Sequence, residues 1–472
     1  MFYVQHENYT DTRIRNKRFK HEDLIRIIEK LDSKVFSVKT AGYSIENREI
    51  CLIKAGRGPL KILAWSQMHG DESTATMAML DILNFLSRND SLNYLRDSLL
   101  KNVTFYFVPM LNPDGAERFR RRNAAGIDLN RDAALLQCPE SRILKSLRDE
   151  IQPEFAFNLH DQSPRYSAGN SYRSATISFL APPFDFDRNI NDIRLRAMQV
   201  IALMDGVLKQ FIPGHTAKYS DEFEPRAFGD NMQRWGSSTI LIESGGWPGD
   251  HEKQFVRKLN FVALLSAFKY IASGTYKGIS TDKYFSIPDN EKYIYDLILR
   301  NVQYEFTPGN KFRLDVGINR YEEEAGGNRF YFRSMVEDTG DMSVFYGFEE
   351  IDCSGLEVKP GKVYPKVIDT FADLVSLDFE AILSGGFTSI MVKNLPQEIR
   401  YSAYPVNLIN VKDGQNSAAY KSTDPFINAP ADFVVSDKNG VRFAIVNGFI
   451  YDLHTSSNNV YNGMVYSPAT EN

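Results

Sequence analysis

The chain has 472 residues, 43% of them hydrophobic, which is enough apolar material for two or three domains with separate cores. Its 55 basic against 60 acidic residues leave a net charge of −5, which argues against a nucleic-acid partner or an anionic membrane surface. Three widely spaced cysteines, Cys51, Cys138 and Cys353, exclude a disulfide framework and a cysteine-rich metal site.

The first residues lack the basic and apolar pattern of a signal peptide, and no apolar run is long enough for a membrane span, so a cytoplasmic protein with no membrane partner is expected. Residues 21–31 carry Leu24, Ile27, Ile28 and Leu31 at helical spacing. Residues 35–38 and 50–53 read as strands, and Gly56, Gly58 and Pro59 break the chain before an apolar strand over 62–65. Residues 75–86 are an amphipathic helix, with a second helix near 92–100 and a β-branched, aromatic strand over 103–108. Helix over 139–152, strand over 155–159, helix over 192–211, strand over 239–242 and helix over 253–272 follow, with irregular stretches at 163–190 and 215–235. Alternating strands and helices imply an α/β sheet with helices on its faces. After Thr275 the pattern changes: a helix over 290–302, then strands at 314–316, 329–332 and 390–392, a solvated Glu322–Glu324 run, and a hairpin over 433–451 around Asn439-Gly440. The expected division is an α/β domain over 1–275 and a mainly β domain over 285–472 with no metal or nucleophile constellation.

Three strand ends carry chemistry. His69 and Glu72 sit between the strand at 62–65 and the helix at 75–86, where α/β folds place ligand groups. An imidazole and a carboxylate three residues apart suit zinc, though a loop histidine beside a helix-N-terminal glutamate gives the same local pattern. His160 and Glu243 follow the strands at 155–159 and 239–242, His160 equally readable as a sheet-edge histidine and Glu243 as a capping carboxylate. Five arginines between Arg118 and Arg131 follow the strand at 103–108. They read either as a solvated charge run or as guanidinium forks that grip a carboxylate at two points.

Taken in order, H-G-D-E at 69–72, N-P-D-G at 112–115, G-I-D-L-N-R at 126–131, N-L-H at 158–160 and I-E-S-G-G at 242–246 resemble the zinc carboxypeptidase family over about residues 40–275. The resemblance implies an α/β fold with a mixed central sheet and helices on both faces, plus the mainly β C-terminal domain outside it. It implies Zn²⁺ held by His69, Glu72 and His160, with a fourth position for water. Glu243 is then the general base, Arg121 polarises the scissile carbonyl, and Asn130 and Arg131 bind the substrate's terminal carboxylate. Asp71 stands where digestive members often have arginine, and the family's substrate-covering tyrosine has its nearest counterpart in Tyr219. The implied activity is removal of a C-terminal residue from a peptide. An amidase or deacylase acting on an amino-acid conjugate or murein-type peptide shares much of the pattern, and an inactive peptide-binding module is the third reading. Oligomeric state and preferred side chain are not read from the motifs.

Overall fold

A computed structural model describes residues 1–396, 399–411, 427–455 and 461–466, and the chain divides into two compact units, Met1–Lys292 and Tyr293–Asn472. In the first unit, α1 (Phe2–Gln5) and α2 (His21–Ile28) precede a hairpin of β1 (Phe36–Tyr43) and β2 (Glu49–Gly56), then β3 (Leu60–Trp65) and α3 (Thr74–Ser87). Next come α4 (Asn93–Asn102), β4 (Val103–Val108), α5 (Pro113–Glu117), α6 (Pro139–Ile151) and β5 (Phe155–Asp161). The stretches read as irregular from sequence contain β6 (Ser167–Ala168) and β7 (Ile177–Leu180), and, after α7 (Asp192–Leu208), β8 (Thr216–Lys218) and α8 (Phe228–Arg234). These pieces are too short for a periodic pattern to stand out. Strand β9 (Ser238–Ser244), α9 (Gln254–Ser273), α10 (Asp282–Phe285) and β10 (Asn290–Glu291) complete the unit.

The sheet order is β1-β2-β4-β3-β5-β9-β7-β8. Strands β4, β3, β5 and β9 run parallel to one another, whereas the pairs β1–β2, β2–β4 and β7–β9 are antiparallel, so the sheet is mixed. Successive side chains alternate faces. Ile62 and Ala64 of β3 join Phe105, Phe157, Ile240 and residues of α3, α7 and α9 in one core. Leu63 and Trp65 point the other way, into a core with Leu144 and Leu147 of α6 and Phe228 and Met232 of α8. Helices therefore cover both faces. The unit-1 core also takes in Tyr284 and Ile287, beyond residue 275. Asp81 of α3 binds Arg257 of α9 and His6, all buried, which fixes the N-terminal segment against both helices.

In the second unit, residues expected as a helix over 290–302 belong instead to β10 and β11 (Ile294–Thr307). Leu297, Leu299 and Val302 all enter one core. A bulge at Asn301 (φ 59°), with a register shift between Leu299 and Val302, places that three-residue step in a strand and so mimics helical spacing. Strand β11 pairs with β12 (Asn310–Gly326), which pairs with β13 (Arg329–Gly340); β14 (Tyr346–Asp352) and β15 (Glu357–Pro360) lie parallel to β11. Beyond β16 (Lys362–Val363), α11 (Phe379–Ser384), β17 (Phe387–Lys393), β18 (Tyr401–Ser402) and β19 (Asn407–Val411), the hairpin expected around Asn439-Gly440 forms as β20 (Phe433–Asp437) and β21 (Gly440–Val446). With β22 (Phe449–Asp452) it extends the first sheet, while β16, β17, β19, β23 (Gly463–Tyr466) and β18 form a second. Among the described residues no helix is long and apolar enough to cross a membrane.

Candidate active site

The parallel strands β4, β3, β5 and β9 end at one edge of the sheet, and all four endings carry polar side chains. His69, Gly70, Asp71 and Glu72 lie on the turn between β3 and α3. Gly70 packs on Gly115 of the N-P-D-G turn so closely that a Cβ there would stand 2.0 Å from the Gly115 carbonyl carbon. Only glycine allows the two motifs to interlock. Asn112 holds the junction: its Oδ1 accepts from Gly115 N at 2.9 Å, and its Nδ2 donates to Met68 O at 3.2 Å.

The register of β5 against β9 sets His160 directly beside Glu243. His160, His69 and Glu72 are all buried and converge. His69 Nδ1 lies 2.8 Å from Glu72 Oε1, His160 Nδ1 lies 2.7 Å from Glu72 Oε2, and the two Nδ1 atoms are 3.2 Å apart. Two imidazole lone pairs repel at that separation unless a cation or proton lies between them. A tetrahedral zinc with nitrogen at about 2.0–2.1 Å sets its ligands roughly 3.3 Å apart, so this donor set fits the metal.

Of the three side chains His69 is the one braced on its far side, whereas His160 Nε2 is buried with no hydrogen-bond partner among the described residues. His69 Nε2 faces Asp128 Oδ1 at 3.0 Å, which fixes the ring and leaves Nδ1 for the metal. Sequence reasoning passed over Asp128; its signal is the aspartate of G-I-D-L-N-R, two residues before Asn130. In the metal-free chain, burial opposes a charge on His69, but the carboxylates of Glu72 and Asp128 outweigh it and raise the pKa to about 9. Burial dominates at His160 and lowers its pKa.

Glu243 is half-buried, and its shielded Oε2 faces no hydrogen-bond partner among the described residues. Burial raises its pKa well above the usual carboxylate range, and the negative charges of Glu72 and Asp161 add to that, against Arg121 and Lys253. Lys253, absent from the sequence reading, donates from Nζ to Ser244 O at 3.1 Å and to Gly245 O, tying down the turn after Glu243. Burial also raises Asp161 to about 6.

Arg121 is held on Asp128 Oδ2 through Nε at 3.1 Å and Nη2 at 3.0 Å. Its Nη1 reaches His69 Nδ1 at 3.1 Å and Glu72 Oε1 at 3.2 Å, so the guanidinium lies against the three-donor cluster. Asn130 and Arg131 sit one turn further on, with Asn130 N donating to Asp128 Oδ1 at 2.9 Å. Phe228 N donates to Asn130 Oδ1 at 2.9 Å, which turns the amide so that its NH₂ is left for a ligand. Arg131 is half-exposed, donates from Nη1 to Asn130 O at 2.8 Å and pairs through Nε with Glu224 at 3.2 Å. Tyr219 continues from β8, its N–H bonded to Phe179 O at 2.8 Å. Burial and the Glu243 carboxylate both push the Tyr219 hydroxyl upward, so this ring stands within electrostatic reach of the same cluster.

The zinc carboxypeptidase family profile matches residues 21–160. Carboxypeptidase D of Drosophila melanogaster is 26% identical over 282 residues, 54% of this chain and 19% of that one. Carboxypeptidase SOL1 of Arabidopsis thaliana is 29% identical over 117 residues, 24% of each chain. The chain thus spans about a quarter or less of the length of these curated relatives. Among solved structures, a metallo-carboxypeptidase from Burkholderia cenocepacia is 17% identical with a TM-score of 0.44, covering 55% of this chain and 70% of that one. Bovine thrombin-activatable fibrinolysis inhibitor, in complex with tick carboxypeptidase inhibitor, gives the same identity and TM-score over 55% of this chain and 98% of that one. The family match covers four of the five motifs; the I-E-S-G-G motif with Glu243 lies beyond it.

Proposed function

We propose that unit 1, whose residues 21–160 match the zinc carboxypeptidase family, hydrolyses the last peptide bond of a peptide ending in a free carboxylate. The observation that carries this reading is the convergence, at one sheet edge, of three buried metal donors with the unpartnered carboxylate oxygen of Glu243.

His69, Glu72 and His160 would hold a zinc ion, which would supply Lewis-acid chemistry at this point of the cleft. Glu243 takes the proton of the attacking water. Its partnerless oxygen is free to accept, and the burial that raises its pKa lets it retain the proton and pass it to the leaving amine. Arg121 donates to the oxygen on which negative charge develops. Asp128 holds its Nε and Nη2, and Nη1, which lies against His69 Nδ1 and Glu72 Oε1, is the donor nearest the three-donor cluster. The NH₂ of Asn130 and the guanidinium of Arg131 receive the terminal carboxylate, and Tyr219 closes over the substrate.

The test compares one peptide with free and amidated C-termini on wild type and Arg131→Ala. Losing a charged partner at Arg131 costs on the order of 1–3 kcal/mol, or about tenfold to a hundredfold in kcat/KM. Wild type prefers the free acid by that factor, and the variant loses most of the preference. Equal cleavage of both peptides by wild type rejects carboxylate recognition and points to an amidase.

A further inference from the structure

The carboxylate end of the cleft already contains a carboxylate. Glu224 is clamped by its neighbour: Arg226 Nε donates to Oε1 at 2.9 Å, Arg226 Nη2 to Oε2 at 2.8 Å, and Arg226 N to Oε1 at 3.1 Å. The backbone around it is equally fixed, with Glu224 N donating to buried Asp230 Oδ1 at 3.0 Å and Ala227 N donating to Glu224 O at 2.9 Å. From this position Oε2 also stands 3.2 Å from Arg131 Nε. A guanidinium binds a carboxylate best along a two-donor edge. On Arg131 the edge made by Nε and Nη2 stands in ion-pair contact with Glu224 at Nε, and Nη1 is engaged by Asn130 O.

We propose that Glu224 is a specificity-determining residue of the carboxylate subsite: clamped by Arg226, it partly occupies Arg131, so a free C-terminal carboxylate competes with it for the guanidinium. This rests on the reading of Arg131 given above. Glu224 therefore lowers the advantage of a free acid over an uncharged terminus, and the clamp limits how far it does so. Arg226 draws charge away from the Arg131 contact by holding both oxygens of Glu224. Removing Glu224 and removing Arg226 then act in opposite directions on the same measurement.

The experiment measures KM and kcat for an N-acyl dipeptide acid and its amide on wild type, Glu224→Gln, Arg226→Gln and Arg131→Ala. Calorimetric titration of the zinc-loaded proteins with the free N-acyl amino acid supplies a readout independent of turnover. Glu224→Gln lowers KM and Kd for the acids by about two- to fivefold, the size expected of a partly exposed ion pair. The effect lies in KM rather than kcat and is absent with the amide. Arg226→Gln moves the same constants upward. A rise in KM for Glu224→Gln overturns the proposal, because Glu224 then orients Arg131 instead of competing for it; no change in either variant also overturns it. If Arg131→Ala leaves acid binding intact, the carboxylate reading of Arg131 itself falls, which is a separate failure.

Discussion

Zinc affinity in this site should depend steeply on pH, because one ligand must lose a proton to bind. Metal-free His69 has a pKa of about 9, set by Glu72 at 2.8 Å and Asp128 at 3.0 Å. Burial lowers the pKa of His160, and the two histidines keep Glu72 ionised against the burial that opposes its charge, so neither opposes the metal near neutrality. Below pH 9 zinc must displace one proton from His69, and apparent affinity rises about tenfold per pH unit from 7 to 9 before levelling off. The whole rise is about two decades, or roughly 2.7 kcal/mol. Competition against a chelator of known pH dependence, in a non-ligating buffer at fixed ionic strength, measures the slope. Calorimetry in buffers of different ionisation enthalpy counts the released proton. Asp128→Ala separates two effects. It removes one of the carboxylates that raise the His69 pKa, so the slope between pH 7 and 9 flattens. It also loses the brace on Nε2, so affinity at pH 9 falls by about 10–100-fold. A flat profile in wild type, or an Asp128→Ala profile parallel to it, would refute the account of His69.

Two further outcomes rest on single carboxylates. Glu243→Gln retains zinc but loses about 10²–10⁴ in kcat, because an amide cannot accept the water's proton; metal analysis with steady-state kinetics checks both halves, and near-normal kcat rejects the base assignment. Burial raises Asp230 to about 7, against about 3.9 when unfolded. The folded chain therefore binds this proton more tightly, and the stability it contributes is full below pH 4 and lost as pH rises through about 7. Asp230→Asn keeps an acceptor for Glu224 N–H and escapes that loss, so its melting temperature gains on wild type between pH 5 and pH 8 by an amount equivalent to a few kcal/mol. An equal difference at both pH values contradicts this.

The three candidate metal donors stood out in the sequence because His160 lies at the end of a strand and His69 and Glu72 lie in the turn after one, positions that an apolar run followed by turn residues announces. What braces them was less visible. Asp128 meets His69 across 59 positions of chain, and Lys253 reaches the carbonyls behind Glu243 from the start of α9; neither contact leaves a periodic trace. The short β7, β8 and α8 were hidden for the reason that long helices such as α7 were plain: four, three and seven residues do not establish a period. Strand β11 was misread because its bulge at Asn301 imitates helical spacing, and only pairing with β12, β14 and β15 decides the matter. The Glu224–Arg131 contact depends on a loop conformation that no motif encodes.

The most direct test of the central claim incubates the zinc-loaded full chain with a mixed library of free-acid peptides and follows the products by mass spectrometry. Products shorter by one C-terminal residue are expected, formed with zinc and not after chelation. Internal cleavage, or no shortening of any peptide by protein that carries zinc, would contradict that claim.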